Sequence, residues 1–236
     1  MNKFFSASVI CMDQINLGFH VNTVDTLDID FLHIDMMDGH NVPRYGLYPE
    51  QLCRINDITN MKLDVHLMTS DPEFSIQQLK NVRNIENLVF HIEGREGNII
   101  RIIDAARSIS KSVGIAVNMS TSPDIVRKLL RNRFIDSITF MAIHPGVLVQ
   151  NSRPELLFLE IRDTIAEFTD RLKYISVDGG VKFSNIKSLL TTGANVLVGG
   201  SGTLYKDVSF TSGMYDQFVK ISENWNLIKN EMSNEQ

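Results

Sequence analysis

His33, Asp35, His66 and Asp178 are the residues of this 236-residue chain whose types and placement could act together. His33 and Asp35 lie in "HIDMMDGH" (33–40), after the apolar-rich Ile29-Asp30-Phe31-Leu32. On an extended strand their spacing puts both on one face, with Leu32 and Ile34 on the other. His66 lies near the end of "KLDVHLM" (62–68), and Asp178 ends "LKYISVD" (172–178). Two imidazoles and two carboxylates suit a borderline divalent metal: Zn²⁺ first, with Mn²⁺, Fe²⁺, Co²⁺ or Mg²⁺ as the others. Such a set can leave a position open for substrate.

A second constellation is glycine-rich, "DGGV" (178–181) and "VGGSG" (198–202). Glycine lets backbone N–H groups approach an anion closely, which is how loops at strand ends grip phosphate. A metal, two acids and a phosphate grip point to proton abstraction beside the carbonyl of a sugar phosphate. A Lewis acid on the carbonyl oxygen stabilises the enediolate that forms. A carboxylate on each face lets the proton leave one side and return on the other, which is epimerisation. Asp35 and Asp178 are the candidate pair.

These residues need a scaffold that brings separate strand ends together. Apolar, β-branched runs recur at 4–10, 29–35, 62–68, 87–93, 113–118, 136–143, 172–178 and 195–200. Their near-continuous apolar character fits a parallel sheet buried on both faces. Helical periods lie between them at 98–109, 154–168 and 214–228, where Phe218, Ile221, Trp225 and Ile228 share one core-facing stripe. "TSDPE" (69–73) and "STSPD" (120–124) write helix starts, a polar cap before a Pro in the first turn. Eight strand–helix units predict a single (β/α)₈ TIM barrel over 1–236, with a short polar tail from about 232. An open doubly wound sheet is the alternative. In a barrel the catalytic groups sit at the C-terminal strand ends, where all four ligand-type residues fall, and phosphate is commonly held after strands seven and eight.

Composition excludes other classes. The net charge is −5 with Lys and Arg scattered, so no basic stripe for nucleic acid is present. No apolar run approaches the ~20 residues of a membrane span. "MNKFFSASVICMD" is broken by serines and does not read as a signal peptide. Cys11 and Cys53 form no motif and suit a reducing compartment. The expectation is a soluble cytoplasmic protein.

Taken in order, "SVICMD" (8–13), "HIDMMDGH" with "VP" (42–43), "DVHLM" (64–68), "MAIHPG" (141–146), "VDGG" (177–180) and "GGSG" (199–202) make the chain resemble the ribulose-phosphate 3-epimerase family, which includes the allulose-6-phosphate 3-epimerases. The resemblance implies a ribulose-phosphate-binding barrel with one divalent metal ion held by His33, Asp35, His66 and Asp178. It implies Asp35 and Asp178 as the acid/base pair, and Ser8 and His66 as substrate contacts. Gly146, Gly179, Gly180, Gly200 and Ser201 would lie along the phosphate end, and Met37, Met68 and Met141 would face the reacting centre. The substrate would be ribulose 5-phosphate/xylulose 5-phosphate or allulose 6-phosphate/fructose 6-phosphate, and the protein a homo-oligomer, dimer or hexamer. "CMD" at 11–13 leans toward the allulose-phosphate branch.

Two stretches depart from the family. "NVPRYGLYPE" (41–50) carries Asn41, Arg44 and Tyr45 where smaller or apolar residues are usual. "PGVLVQ" (145–150) has Leu148 and Val149 in place of paired glycines, which puts the phosphate grip in question; Arg44 offers a compensating charge. Competing readings are a non-catalytic sugar-phosphate-binding paralogue, and a decarboxylase of the same fold class, for which Lys62 beside Asp64 lacks the rest of the array. His91 and Glu93 are expected to support the mouth, His144 to be exposed, His20 to be a surface or packing residue, and Asp38, Gly39 and His40 to shape the loop.

Overall fold

Eight parallel strands follow one another around a closed barrel in chain order: β1 (Phe4–Ser8), β2 (Phe31–Met37), β3 (Lys62–Met68), β4 (Ile85–His91), β5 (Ser112–Val117), β6 (Ser137–Met141), β7 (Tyr174–Asp178) and β8 (Val196–Gly199). This computed structural model describes residues 2–95, 97–131, 134–145, 163 and 165–233. The barrel reading holds and the open sheet does not, because β8 pairs with β1 through Phe4, Phe5, Ser6 and Ala7. Among the described residues the outer helices are α1 (Leu17–Thr26), α2 (Pro49–Ile58), α3 (Pro72–Gln78), α4 (Ile99–Arg107), α5 (Pro123–Leu130), α6 (Ile186–Thr191) and α7 (Met214–Ser233). The helix expected over 154–168 and the loop 146–151 fall largely or wholly outside the described residues; of the former, Ile165 and Phe168 are buried. No helix among the described residues is long and apolar enough to cross a membrane.

Local sequence accounts for the helix starts. Pro49, Pro72 and Pro123 each open a helix, where a missing N–H has no intrahelical partner to lose. Asp71 caps α3 by accepting the Phe74 N–H at 2.9 Å. In α4 the buried residues Ile99, Ile102, Ile103 and Ala106 form one helical stripe against the barrel. In α7 Ile221, Trp225 and Ile228 are buried as expected and Phe218 is half-buried. Trp225 lies 5.3 Å from the Phe5 ring and donates to the Leu27 carbonyl at 2.9 Å, tying the last helix to the first unit.

The outward-facing strand residues, such as Leu32, Ile34, Leu63, Val65 and Leu67, join the helices in the main apolar core. The inward faces are layered. At the N-terminal end Phe4, Phe31, Tyr174 and Val196 pack together. Above them lies a polar layer: Asp64 accepts from Ser6 and Asn87, and Asn87 in turn accepts from Ser137. The apolar runs thus describe the outer face only; the inner face is polar halfway up.

Several boundaries move from expectation. β2 runs on to Met37, so His33, Asp35 and Met37 climb the inner face in succession. β1 stops at Ser8 and turns into a one-turn 3-10 helix over Val9–Cys11. β4 starts at Ile85, and its pairing with β3 slips between Leu63 and Asp64, leaving Glu86 as an extra residue between the paired Ile85 and Asn87.

Candidate active site and metal centre

Adjacent strands in register bring the four expected ligands together. Asp35 on β2 is paired directly with His66 on β3, while His33 lies one inward step below Asp35 and Asp178 ends β7. One donor atom from each of His33, Asp35, His66 and Asp178 lies within 4.8 Å of the other three. His33 Nε2 is 3.4 Å from a carboxylate oxygen of Asp35 and 3.4 Å from one of Asp178, yet it makes no hydrogen bond to either. His66 Nδ1 is 3.1 Å from Asp178 Oδ2 and 3.9 Å from Asp35 Oδ1. Donor atoms crowded around a common point, with a buried imidazole nitrogen left unpaired, are what a metal ion would satisfy.

The charge balance says the same. Burial works against protonating His33, but the carboxylates of Asp35, Asp178 and Asp64 raise its pKa well above the ordinary imidazole value. Burial likewise pushes Asp178 up, yet His33 and His66 hold it well below the usual carboxylate range. A site this rich in carboxylates calls for positive charge, which a divalent ion would supply. The two histidines also have their outer nitrogens anchored. His33 Nδ1 stands 2.8 Å from Asp64 Oδ2, which leaves Nε2 free to face the cluster. His66 Nε2 is 3.1 Å from His91 Nε2, and His91 Nδ1 is 3.2 Å from Glu93 Oε2.

Above the cluster is a cavity of about 260 Å³. Asp35 and Asp178 border it, while His33 and His66 lie beneath it, nearly or fully buried. Ser8, Met37, Met68, Met141, Gly179, Gly180, Gly200 and Ser201, all expected there, line the same cavity. Gly146 lies outside the described residues. Gly179 has φ +89° and a side chain there would strike Ile143 at 2.3 Å, so the turn after β7 can be made only with glycine. Ser8 Oγ points to Cys11 Sγ at 3.5 Å. Arg44 and Lys182 also border the cavity and place two cations at its mouth.

Other expectations resolve cleanly. Asp38 accepts from the N–H groups of His40 and Asn41, both at 2.9 Å, and from the N–H and hydroxyl of Ser70, both at 2.6 Å. Asp38, Gly39 and His40 are therefore loop architecture that ties the β2 loop to the β3 loop. Gly46 brings that loop back across β2, where its N–H meets the Met37 carbonyl at 3.0 Å and a Cβ would collide with the Asp35 carbonyl. His144 is exposed. His20 is fully buried, packed edge-on against Phe19, Tyr205 and Phe210. Asp64 is a site residue beyond those expected, although its spacing from His66 repeats that of His33 and Asp35 and marks it as inward-facing.

Compared with known proteins, the chain matches the model of the ribulose-phosphate 3 epimerase family over residues 5–204. The chain belongs to that family. Among its relatives, the ribulose-phosphate 3-epimerase of Synechocystis sp. is 31% identical over 85% of this chain and 86% of its own length. That of Buchnera aphidicola from Acyrthosiphon pisum is 33% identical over 86% of this chain and 88% of its own. Among solved structures, phosphoribosyl anthranilate isomerase from Thermus thermophilus superposes with TM-score 0.63 at 13% identity, covering 94% of this chain and 98% of that one. A tryptophan synthase alpha-subunit from Pyrococcus furiosus gives 0.67 at 11%, covering 98% of this chain and all of the other. These last two share the fold. Membership in the epimerase family makes the chain an isomerase, a sugar-phosphate epimerase with a cluster able to hold a metal ion.

Proposed function

We propose that the chain is a divalent-metal-dependent 3-epimerase that interconverts ribulose 5-phosphate and xylulose 5-phosphate by two-base proton transfer. The observation that carries this is the placement of Asp35 and Asp178. They come from β2 and β7, border one cavity, and each has an oxygen 3.4 Å from the same His33 nitrogen. The relatives named above act on ribulose phosphate by their names, which supports the pentulose over the hexulose pair.

His33, Asp35, His66 and Asp178 would hold the ion, Zn²⁺ in this reading, whose contribution is Lewis acidity at the C2 carbonyl. The chain's own groups do the rest. One aspartate takes the proton from C3, the C–H electron pair moves into the C2–C3 bond, and the C2 oxygen gains negative charge as the enediolate. The other aspartate returns a proton to the opposite face of C3, and the configuration is inverted. Met37, Met68 and Met141 give the reacting carbon a soft apolar lining that keeps bulk water from competing with the two carboxylates. The phosphate would lie against Gly179, Gly180, Gly200 and Ser201, with Lys182 and Arg44 at the rim.

The test is NMR of a panel of ketose phosphates in D₂O with the metal-loaded enzyme. Ribulose 5-phosphate should become xylulose 5-phosphate with one solvent deuteron at C3. Conversion without exchange would rule out the two-base route. Preference for the allulose/fructose 6-phosphate pair would move the chain to the hexulose branch.

A further inference from the structure

His91 and Glu93 touch no substrate in the scheme above, yet they complete a chain of groups whose protons can be counted. Their role rests on the metal reading under Proposed function. The chain runs from Asp178 Oδ2 to His66 Nδ1 (3.1 Å), from His66 Nε2 to His91 Nε2 (3.1 Å), and from His91 Nδ1 to Glu93 Oε2 (3.2 Å). Glu93 Oε1 accepts the Asn118 N–H at 2.9 Å and also the Thr121 hydroxyl. His66 and His91 are 0% and 3% exposed, so both lie out of reach of bulk water.

Each of the three contacts joins two acceptors unless a proton or a cation stands between them. Two neutral imidazoles carry two protons, one fewer than the contacts. The position of the gap is set from the far end. Glu93 is an acceptor on both oxygens, so His91 carries its proton on Nδ1 and presents a lone pair at Nε2. His66 must then carry its proton on Nε2. The gap falls between His66 Nδ1 and Asp178, where a metal ion would stand.

We propose that Glu93 and His91 are positioning residues that fix the tautomer of His66, so that its Nδ1 lone pair faces the metal. The polarity of the whole chain is set by the Glu93 carboxylate, whose Oε1 is held by the Asn118 N–H and the Thr121 hydroxyl and whose Oε2 is left for His91. On the other side of the cluster Asp64 does the same for His33 in a single step. The two histidine ligands thus enter through opposite nitrogens, His33 by Nε2 and His66 by Nδ1.

The reversal of that polarity is the test. In Glu93→Gln the carboxamide oxygen stays on the Asn118 N–H and the NH₂ turns to His91 Nδ1. His91 must then carry its proton on Nε2, and His66 on Nδ1, in the metal's place. In His91→Gln, with Glu93 intact, the carboxamide donates to Glu93 and accepts from His66 Nε2–H, and the polarity is kept. Zn²⁺ affinity is measured by competition with a chromophoric chelator, and ring tautomers by ¹⁵N shifts of the zinc-loaded protein. Glu93→Gln should lose about 10- to 100-fold in affinity, while His91→Gln stays within a few-fold of the parent. Wild-type spectra should show His66 protonated at Nε2 and His91 at Nδ1. Unchanged zinc affinity in Glu93→Gln, equal loss in both variants, or a His66 proton on Nδ1 would each overturn the relay and leave the metal site standing. A wild-type protein that binds no divalent ion would overturn both.

Discussion

The two ends of the barrel are made from the same strands, and they treat buried charge in opposite ways. At the N-terminal end Glu86, 5% exposed, accepts from Lys173 at 2.7 Å, Tyr174 at 3.0 Å and Lys111 at 3.2 Å. Burial would raise its pKa, but hydrogen bonds from those three groups bring the carboxyl down to about 2. Beside it Phe4, Phe31 and Tyr174 close the base, with ring centroids 5.4 to 5.6 Å apart. Each Glu86 oxygen there has a donor. At the mouth Asp35, Asp178 and Asp64 surround one imidazole whose Nε2 has no hydrogen bond. At the base the buried carboxylate is matched by the chain's own donors, whereas the mouth leaves a buried imidazole nitrogen that a cation could satisfy. This is the division between stability and catalysis expected of barrel ends.

Substitutions at the mouth should separate the two properties most strongly. Asp35→Asn and Asp178→Asn each remove one of the two proposed proton carriers and should lower turnover by about 10²- to 10⁴-fold. In the metal-free protein Asp178, held below the usual carboxylate range by His33 and His66, also contributes stability, so Asp178→Asn should unfold at a lower temperature. Turnover by steady-state assay and unfolding by calorimetry check both. A loss of turnover no larger than the loss of folded protein explains would show that the mouth serves stability alone, as the base does.

The converse substitution is at the base. Glu86→Ala leaves the buried Tyr174 hydroxyl and two lysines without their acceptor, and should destabilise by roughly 1–3 kcal/mol with kcat unchanged. Its pH dependence has a definite sign. The folded value of about 2 lies below the ordinary 4.5. The Glu86 contribution is therefore whole above pH 4.5 and is lost as the pH falls toward 2. Denaturant titrations between those limits should show a shallower acid loss in Glu86→Gln than in the parent. A smaller effect is expected where the mouth has a base-like feature of its own. Asp38 has four donors, and although partial burial pushes it up, the Ser70, Asn41 and His40 bonds hold it well below the usual carboxylate range. Asp38→Ala should loosen the tie between the β2 and β3 loops, destabilise by about 1 kcal/mol and raise KM more than it lowers kcat.

How much of this contrast the sequence discloses depends on which signal each residue carries. His33, Asp35, His66 and Asp178 are legible because ligand-type residues at strand ends are unusual and barrels use those ends. Strand identity is legible from apolar runs, which report the helix-facing side. The polar inner layer is not, since Asp64 and Asn87 alternate with the apolar residues of those runs and read as interruptions. Glu86 is hidden for a different reason: it is the extra residue of a register slip, and with the strand started at Asn87 it falls in a turn. The His66–His91–Glu93 chain joins two strands and a loop, and only closed register puts the two rings within 3.1 Å. Loop 146–151, one of the two stretches that depart from the family's pattern, lies outside the described residues.

Lys62 gives the mildest test and the one that bears on an alternative chemistry. A decarboxylase reading would need this lysine near the key carboxylates. In the barrel it is the first residue of β3, exposed at the base, with Nζ 5.9 Å from the Phe31 ring centroid, while Asp35 and Asp178 border the cavity at the other end. Successive inward positions on β3 climb from Lys62 through Asp64 and His66 to Met68, so three inward steps separate the lysine from the methionine that lines the cavity. Its ammonium therefore acts at the base, over the Phe31 ring and on the Asp30 carboxylate, contacts worth about 0.5–1 kcal/mol at an exposed site. Lys62→Met should lose no more than that in stability and leave kcat and KM at parental values. A loss of turnover larger than the stability change explains would mean that charge at the base reaches the mouth, and the separation of the two ends would fail there.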